Sequence, residues 1–212
     1  MSTLFTVIRH GETAANRNCV IQGQSDVPLS PAGEEQAKLL GRRWARRRFD
    51  AVYSSDLSRA LRTAELVAPG ITPIATPELR EMDLGAWVGH TTAEIAERFP
   101  SEWKAFRSAS VECRATDGES RRELLERITR FFKTAAARHP GQNVLVVTHG
   151  GVLRAFFLML MGGSLNERAL LPSTGNTGIT TVRYDSDTDR WRLIGWNDTA
   201  HIDALLNGDD VY

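Results

Sequence analysis

Three apolar, strand-like runs in the chain each lead into a histidine or an arginine, and this recurrence constrains the fold more than any other feature. Short apolar runs of this kind are typical of buried parallel strands. In an open α/β sheet, ligands collect at the carboxyl ends of the strands. The sequence therefore predicts a sheet whose strand ends bring cationic groups to one site. The runs, with the groups that follow them, are residues 4–8 with Arg9-His10, residues 51–55 with Arg59, and residues 144–148 with His149.

The alternation of strand-like and helix-like segments predicts an α/β fold. We expect a three-layer sandwich, with a mostly parallel central sheet, helices on both faces and a helical insertion that caps the active site. The last two strands follow one another across the polar segment 185–189, which favours an antiparallel edge. The predicted strands lie near residues 3–9, 50–54, 71–75, 143–148, 178–184 and 190–196.

The length of 212 residues suits one domain, and we assign residues 1–212 to it. Residues 85–118 interrupt the alternation of strands and helices and are predicted to form the capping insertion. Within it, residues 92–99 and 100–108 have helical patterns and are expected to lie over the mouth of the site. We interpret the aromatic residues of the insertion as packing groups rather than as substrate contacts.

The composition excludes some classes of partner. Lys and Arg together number 26, as do Asp and Glu, so the formal net charge is zero and neither nucleic acid nor an anionic membrane is indicated. The arginine-rich segment 42–48 is interpreted as the solvated face of a helix begun by Ser30-Pro31. Cys19 and Cys113 have no metal-type spacing and predict no disulfide framework. We recognise no signal peptide or membrane-length apolar run, so a cytoplasmic location is expected by default, and a homodimer stays open.

The sequence Arg9-His10-Gly11 predicts phosphate chemistry. A neutral imidazole is a competent nucleophile, and a guanidinium holds a phosphoryl group through paired hydrogen bonds. Gly11 lets the backbone come close to a ligand because it has no Cβ. A turn histidine with a satisfied ring, or a solvated strand edge, would use the same residues, so the tripeptide alone does not decide between these interpretations.

The other two strand ends indicate the same chemistry. His149 is followed by two glycines and an apolar, helix-like segment, and helix N-termini attract anions. Asp56 is predicted to be the N-cap of the helix after the second strand, which would place Arg59 and Arg62 on one helical face. Three such strand ends favour an anion site far more strongly than one does.

These blocks have the order and spacing of a known family. The chain resembles the histidine phosphatase superfamily, which has the phosphoglycerate mutase-like fold. The resemblance extends from residue 7 to residue 151, and residues 175–178 also fit it. The matching blocks are residues 7–13 (VIRHGET) with Asn16, Gln22-Gly23 with Asp26, residues 29–33 (LSPAG), residues 54–60 (SSDLSRA) with Thr63-Ala64, residues 79–89 (LREMDLGAWVG), residues 118–120 (GES) and residues 147–151 (VTHGG).

The resemblance implies a nucleophile and a set of anion-binding groups. His10 would attack phosphorus in line and become a phosphohistidine, which requires a neutral ring, and the charges of Arg9 and Arg59 disfavour its protonation. His149, as a proton donor, would hold the non-bridging oxygens together with both arginines and the backbone N–H groups around Gly150. The remaining histidines, His90, His139 and His201, match no block and are interpreted as surface or structural residues. The alternative for His201 is a place near the mouth of the site.

Glu81 is the candidate acid. It would give a proton to the leaving alkoxide and later take one from the water that hydrolyses the phosphohistidine. The alternative is a salt bridge from Glu81 to Arg80 or Arg62. The positions that in the family touch the phosphoryl group or the substrate correspond here to Asn16, Gln22 and Gly23.

Three classes of function remain. A phosphomonoesterase acting on a small phosphorylated metabolite, with no cofactor, is favoured. The alternative is a cofactor-dependent phosphoglycerate mutase, but mutases similar to this family follow the acid with an Arg and a Tyr, whereas residues 82–84 are Met-Asp-Leu here. A metallohydrolase that uses His10, His149 and Glu81 as ligands is disfavoured, because two arginines in the same pocket would repel a divalent cation. The sequence leaves the physiological substrate open.

Overall fold

The computed structural model describes residues 1–107, 112–161 and 174–203. The strands in this part of the chain are β1 (Ser2–Arg9), β2 (Ala51–Ser55), β3 (Ile74–Thr76), β4 (Asn143–Thr148), β5 (Ile179–Asp185) and β6 (Arg190–Asp198). They form one sheet in the order β3-β2-β4-β1-β5-β6. Strands β1 to β4 pair in parallel, whereas β5 is antiparallel to β1 and β6 is antiparallel to β5. The predicted sheet, mostly parallel with an antiparallel edge, is confirmed.

Helices cover both faces of this sheet. Successive strand residues point to opposite faces, so Phe5 and Val7 of β1 lie in one hydrophobic cluster and Ile8 lies in the other. The α-helices in the described residues are α1 (Ala14–Arg17), α2 (Pro31–Arg43), α3 (Ser58–Val67), α4 (Thr92–Arg98), α5 (Pro100–Arg107), α6 (Arg121–Arg138) and α7 (Gly150–Met161). The first cluster includes residues from α6 and α7, and the second includes residues from α2 and α3.

The helix predicted from Ser30-Pro31 begins there. The Ser30 side chain accepts the backbone N–H of Gly33 at 3.0 Å, and the proline occupies the first turn, where its missing N–H costs nothing. At the other end, Arg42 and Arg43 form surface ion pairs with acidic side chains, as expected of a solvated helix face.

Two local predictions are wrong. Asp56 does not cap α3: its carboxylate accepts two hydrogen bonds from Arg80, at 2.8 and 2.7 Å, and the bidentate ion pair prevails over a backbone N–H. The N–H of Ser58 is instead taken by the carboxylate of Asp26, from a different loop, at 2.7 Å. The third strand is shorter than expected and begins only after Pro73, which has no N–H to give to a ladder.

The segment predicted as an insertion contains α4 and α5, as its helical patterns indicated, whereas residues 108–111 of it lie outside the described residues. A backbone bridge between Val20 and Thr91, and a hydrogen bond of 2.9 Å from the N–H of Gly89 to the carbonyl of Ile21, join this segment to the loop that follows α1. None of the described helices is both long and apolar enough to cross a membrane.

Candidate active site

Strand register places His10 beside His149. Arg9 of β1 is paired with Thr148 of β4, and the N–H of His10 donates to the carbonyl of Thr148 at 2.9 Å. Each histidine is therefore the first residue past the same rung of the ladder, at the carboxyl edge of the sheet. The ring centroids lie 5.1 Å apart, and both rings are buried, with exposures of 3% for His10 and 0% for His149.

The hydrogen bond of His10 defines its tautomer. Its Nδ1 lies 2.7 Å from the carbonyl oxygen of Gly11. Because a carbonyl oxygen can only accept, Nδ1 must carry the proton of the neutral ring, and Nε2 carries the lone pair. Nε2 has no hydrogen-bond partner within the described residues, so the lone pair is available to a ligand.

The backbone around His10 is fixed from two directions. On one side, Thr63 of α3 accepts the N–H of Gly11 at 3.0 Å and donates to the carbonyl of Arg59 at 2.7 Å. On the other, the side-chain amide of Asn176 donates to the carbonyl of His10 at 2.9 Å. The nucleophile candidate therefore lies on a backbone with little freedom to move.

Asn176 belongs to a short chain of contacts that ends at His201. Thr177 has a left-handed backbone, with φ of 55°, and its N–H lies 3.1 Å from the carbonyl of Arg9. Its hydroxyl donates to the carbonyl of Asn176 at 2.7 Å and must therefore accept from His201 Nε2 at 2.8 Å. The prediction that His201 is a structural residue agrees with this geometry, since the ring contacts the support of His10 and not the pocket itself.

His149 has the opposite tautomer. The Nε of Arg59 donates to its Nδ1 at 3.3 Å, so the proton of the neutral ring is on Nε2, which donates to the hydroxyl of Ser55 at 2.8 Å. Ser55 is the last residue of β2, and it thereby orients the second histidine. Proton donation by His149 to a ligand, as predicted from the sequence, would require a proton on Nδ1 in exchange for the Arg59 contact.

The surroundings lower the pKa of both rings. Burial holds the pKa of His10 well below the usual 6.5, and the charges of Arg9 and Arg59 lower it further. Burial is also the largest cause for the low pKa of His149, followed by the charges of its neighbours. Arg9 and Arg59 thus lie near His10 as predicted, and burial lowers the pKa of the ring more than their charges do.

The two arginines are held by backbone carbonyls. Arg59 is fully buried and donates to the carbonyls of Ser25 at 2.6 Å and Gly23 at 2.8 Å. Gly23 itself has a left-handed backbone, with φ of 50°. Arg9 donates through Nη1 to the carbonyl of Thr174 at 2.6 Å, while its Nε is buried with no acceptor in the described part of the chain. A buried guanidinium N–H without an acceptor is suited to bind an anion.

The carboxyl of Glu81 is fixed by backbone donors. The N–H of Gly151, in the first turn of α7, donates to Oε2 at 3.0 Å, and the N–H of Met82 donates to Oε1 at 2.8 Å. The alternative of a salt bridge to Arg80 or Arg62 is not what the structure has, because Arg80 pairs with Asp56 and Arg62 pairs with Glu34 and Glu65.

The remaining predicted residues lie beside the site in different ways. The hydroxyl of Thr13 lies 3.1 Å from Oδ1 of Asn16 and 3.0 Å from Oε1 of Gln22 and can donate its one hydrogen to either, while Asn16 also accepts from Asn176 at 3.3 Å. Gly150 begins α7, and a Cβ built there would lie 3.6 Å from Nε of Arg9. Thus Asn16 and Gln22 contact other protein side chains, whereas Gly150 directly adjoins Nε of Arg9.

Most of the donor atoms that a metal would need have partners in the protein. The lone pair of His10 Nε2 is open, but Nδ1 of His149 accepts from Arg59 and both oxygens of Glu81 accept from backbone N–H groups. Among the described residues, no group of three or more His, Cys, Asp and Glu side chains is arranged to hold a metal ion.

Several supporting residues were missed by sequence reasoning. Ser55 and Thr63 stood within matched blocks, but nothing in the sequence says which polar side chain of a block faces inward. The contact from Asn176 spans 166 residues and depends on where β5 pairs with β1. Only the match of residues 175–178 to the family pattern could have singled it out.

Comparison with known proteins gives a consistent result. The model of the histidine phosphatase superfamily (branch 1) matches residues 5–199. Over 204 residues the chain is 34% identical to phosphoglycerate mutase-like protein 4 of Arabidopsis thaliana, covering 94% of this chain and 86% of that protein. Over 210 residues it is 34% identical to the metal-independent phosphoserine phosphatase of the same plant, covering 96% and 84%. Its fold is similar to that of a mutant phosphoserine phosphatase from Entamoeba histolytica in complex with phosphoserine, with a TM-score of 0.86, 28% identity, and coverage of 94% and 99%.

Proposed function

The chain belongs to the histidine phosphatase superfamily (branch 1), and from this premise we propose that it hydrolyses small phosphomonoesters through a phosphohistidine on His10. The main support for the proposal is the state of the His10 ring. Nδ1 donates its proton to the carbonyl of Gly11, so Nε2 carries the lone pair, and this lone pair has no partner in the described residues. A neutral, oriented imidazole of this kind is what attack on phosphorus requires.

The phosphoryl oxygens would accept from the arginine donors that have no protein acceptor. The buried Nε of Arg9 lacks an acceptor among the described residues, and Arg59 has one further hydrogen on each of Nη1 and Nη2. A phosphoryl oxygen can replace Nδ1 of His149 as acceptor for Arg59 once His149 takes up a proton there. The negative charge of the substrate favours that protonation, because it opposes the neighbouring cations that lower the pKa of His149.

Two displacements complete the reaction. In the first, Nε2 of His10 forms a bond to phosphorus while the bond to the ester oxygen breaks, and Glu81 gives the departing alkoxide its proton. In the second, water attacks phosphorus, the N–P bond breaks, and the proton lost by water returns to Glu81. Glu81 is suited to both steps because two backbone N–H groups hold its carboxyl in place. Atoms and protons balance over the cycle, and inorganic phosphate is the product.

A hydrolase is favoured over a mutase by the residues that follow Glu81. Met82 is buried, with 6% exposure, and the N–H of Asp83 is taken by Glu119 at 3.0 Å. Residues 82–84 contain no cationic side chain, so this stretch gives a second anionic group nothing to bind. A mutase must retain a phosphorylated ligand with two such groups, whereas a hydrolase needs to bind only one phosphoryl group.

The deciding experiment is a substrate panel. Phosphoserine, 3-phosphoglycerate and an aryl phosphate are incubated with the purified chain, and released inorganic phosphate is measured. Interconversion of 3- and 2-phosphoglycerate is assayed in parallel, with and without 2,3-bisphosphoglycerate. We expect phosphate release from at least one monoester without a bisphosphorylated primer. Rapid interconversion that depends on the primer and releases almost no phosphate would overturn the hydrolase assignment in favour of the mutase.

We also propose that residues 1–212 act as one catalytic domain in the cytoplasm, with residues 85–118 forming one wall of the substrate pocket. The backbone contacts of this segment with Ile21 bring it next to Gln22 and Gly23. The exposed thiol of Cys19 suits a reducing compartment. Assembly as a homodimer remains a prediction that sedimentation of the purified chain can test.

A further inference from the structure

A partly buried ion pair, between Arg127 of α6 and Glu119, contacts the loop that carries Glu81. The two side chains are only 15% and 14% exposed. Nε and Nη2 of Arg127 donate to the two carboxylate oxygens at 3.0 and 2.8 Å, which is a bidentate pair. The mechanism above uses neither residue.

The guanidinium of Arg127 also binds the backbone that precedes Glu81 in the sequence. Nη1 of Arg127 donates to the carbonyls of Glu78 at 2.7 Å and of Arg80 at 2.9 Å, and Nη2 reaches the carbonyl of Glu81 at 3.4 Å. One side chain thus fixes three carbonyls within four residues. The 3-10 turn of this loop ends at Leu79, so no helix or strand ladder holds the backbone at Glu81 itself.

Glu119 binds the backbone that follows Glu81 in the sequence. Its Oε2 accepts the N–H of Asp83 at 3.0 Å, and its own N–H donates to the carbonyl of Asp83 at 2.9 Å. The chain on both sides of Glu81 is therefore tied to a single ion pair. The sequence gives Glu119 a place in the matched GES block, directly before the Ser120 cap of α6, but assigns it no role.

From this arrangement we propose that Arg127, oriented by Glu119, is a positioning residue for the carboxyl of Glu81. The inference rests on the proposed function, because it matters only if Glu81 is the acid. The carboxyl of Glu81 accepts the N–H of Gly151 in α7 at 3.0 Å, so a shift of the backbone at Glu81 would move the carboxyl relative to this donor. A displacement of about 1 Å at a reacting group can cost up to about 10²-fold in rate.

The variants that test this proposal must leave the protein folded. Removing one partner of a buried pair leaves an uncompensated charge and can destabilise the whole fold. Arg127→Lys keeps the charge, but its one nitrogen with three hydrogens cannot replace two bonds to the carboxylate and three to carbonyls, so it is the primary variant. Glu119→Gln keeps the shape of the other partner and serves as the second variant.

Arg130 offers a matched control. It lies on the same helix, reaches the side chain of Glu78 at 3.5 Å, and is 65% exposed. Arg130→Met therefore removes a guanidinium near the same loop without touching its carbonyls. Thermal unfolding of each variant shows whether it keeps the native fold. If Arg127→Lys does not fold, Glu119→Gln takes its place in the comparison.

The readout is the ratio of kcat/KM for an alkyl phosphate to kcat/KM for an activated aryl phosphate. Arg127→Lys is expected to lower this ratio by about 10-fold or more, because only the alkyl leaving group needs the acid. In a Glu81→Gln background, Arg127→Lys should change the ratio no further, and Arg130→Met should leave it at the wild-type value.

Two results would overturn the inference while leaving the proposed function intact: an unchanged ratio in Arg127→Lys and Glu119→Gln while Glu81→Gln lowers it, or a drop that persists in the Glu81→Gln background. If Glu81→Gln itself leaves the ratio unchanged, the acid role and the positioning role are both wrong. The separate assay of phosphate release still reports whether the chain is a phosphatase.

Discussion

A side chain at position 151 would occupy the place of the Glu81 carboxyl. A Cβ built on Gly151 would overlap Oε1 of Glu81, while the N–H of Gly151 donates to Oε2 at 3.0 Å. The glycine therefore serves two purposes at the start of α7: it supplies a backbone donor, and it leaves the space that the carboxyl needs. This pairing explains why an α-helix begins here with two residues of low helical propensity.

Gly151→Ala should lower activity without weakening the fold. Alanine favours a helix over glycine by about 1 kcal/mol, so the helix itself is not impaired, but the new methyl group displaces Glu81. We expect kcat/KM to fall more for alkyl than for aryl phosphates, with an unchanged or higher Tm. Gly195→Ala is the control, because a Cβ there meets nothing within 4 Å. Wild-type kinetics in Gly151→Ala would show that the position of the carboxyl does not matter.

Glu81→Gln should separate good from poor leaving groups. The amide keeps the shape of the side chain, but its N–H protons are not acidic, so alkyl phosphates should be slowed by about 10²–10⁴-fold, the usual size of general acid catalysis. An activated aryl phosphate should lose much less. Steady-state kinetics on a series of leaving groups measures the difference, and equal losses across the series would leave Glu81 with a structural role only.

Chelators should not affect the rate. In the proposed mechanism Arg9 and Arg59 supply the positive charge for the phosphoryl group, and these two guanidinium groups would repel a divalent cation. Nδ1 of His149 and both oxygens of Glu81 already accept hydrogen bonds within the protein. The rate measured after dialysis against EDTA should therefore equal the untreated rate. A loss of activity that zinc or manganese reverses would favour a metallohydrolase over a histidine phosphatase.

Stability should fall as the pH drops below about 6.5. His10 and His149 have pKa values well below 6.5 in the folded chain, and the pKa of His201 is lowered to about 4, chiefly by burial. In the unfolded chain these rings take up protons near pH 6.5. Between the unfolded pKa and the lower folded pKa, the unfolded state therefore binds more protons, and acidification stabilises it relative to the folded state. The free energy of unfolding, measured with urea at several pH values, should rise with pH between about 5 and 6.5. A flat profile in this range would contradict the lowered pKa values.

Replacing one ring identifies its share. Each histidine that stays neutral in the fold contributes up to about 1.4 kcal/mol per pH unit to the slope. His149→Gln should therefore make the profile shallower, and a slope as steep as that of the wild type would show that His149 contributes nothing to it.

Much of the site could be predicted because its main residues lie at strand ends, where sequence order and sheet geometry together determine position. The runs before Arg9 and His149 identified β1 and β4, and parallel pairing of these strands brings His10 next to His149. The family resemblance then supplied Arg59 and Glu81. No such rule was available for the helix cap of α3, where Asp26 from a distant loop took the place predicted for Asp56.

The supporting contacts could not be predicted for the same reason. The bonds of Ser55 to His149 and of Asn176 to His10 cross 94 and 166 residues. They depend on side-chain directions in the packed fold, which local pattern and propensity do not determine. The carbonyls that hold Arg59 are equally invisible, because every residue has one and the sequence does not show which are turned inward.

The most direct test of the account is to trap the phosphoryl group on His10. The chain is mixed rapidly with a phosphomonoester labelled on phosphorus and quenched in alkali, and the label is located by peptide mapping. We predict an alkali-stable, acid-labile adduct on His10, no adduct and no turnover in His10→Ala, and an undiminished adduct in His90→Ala. Full activity in His10→Ala, or a label found on another residue, would contradict the phosphohistidine mechanism.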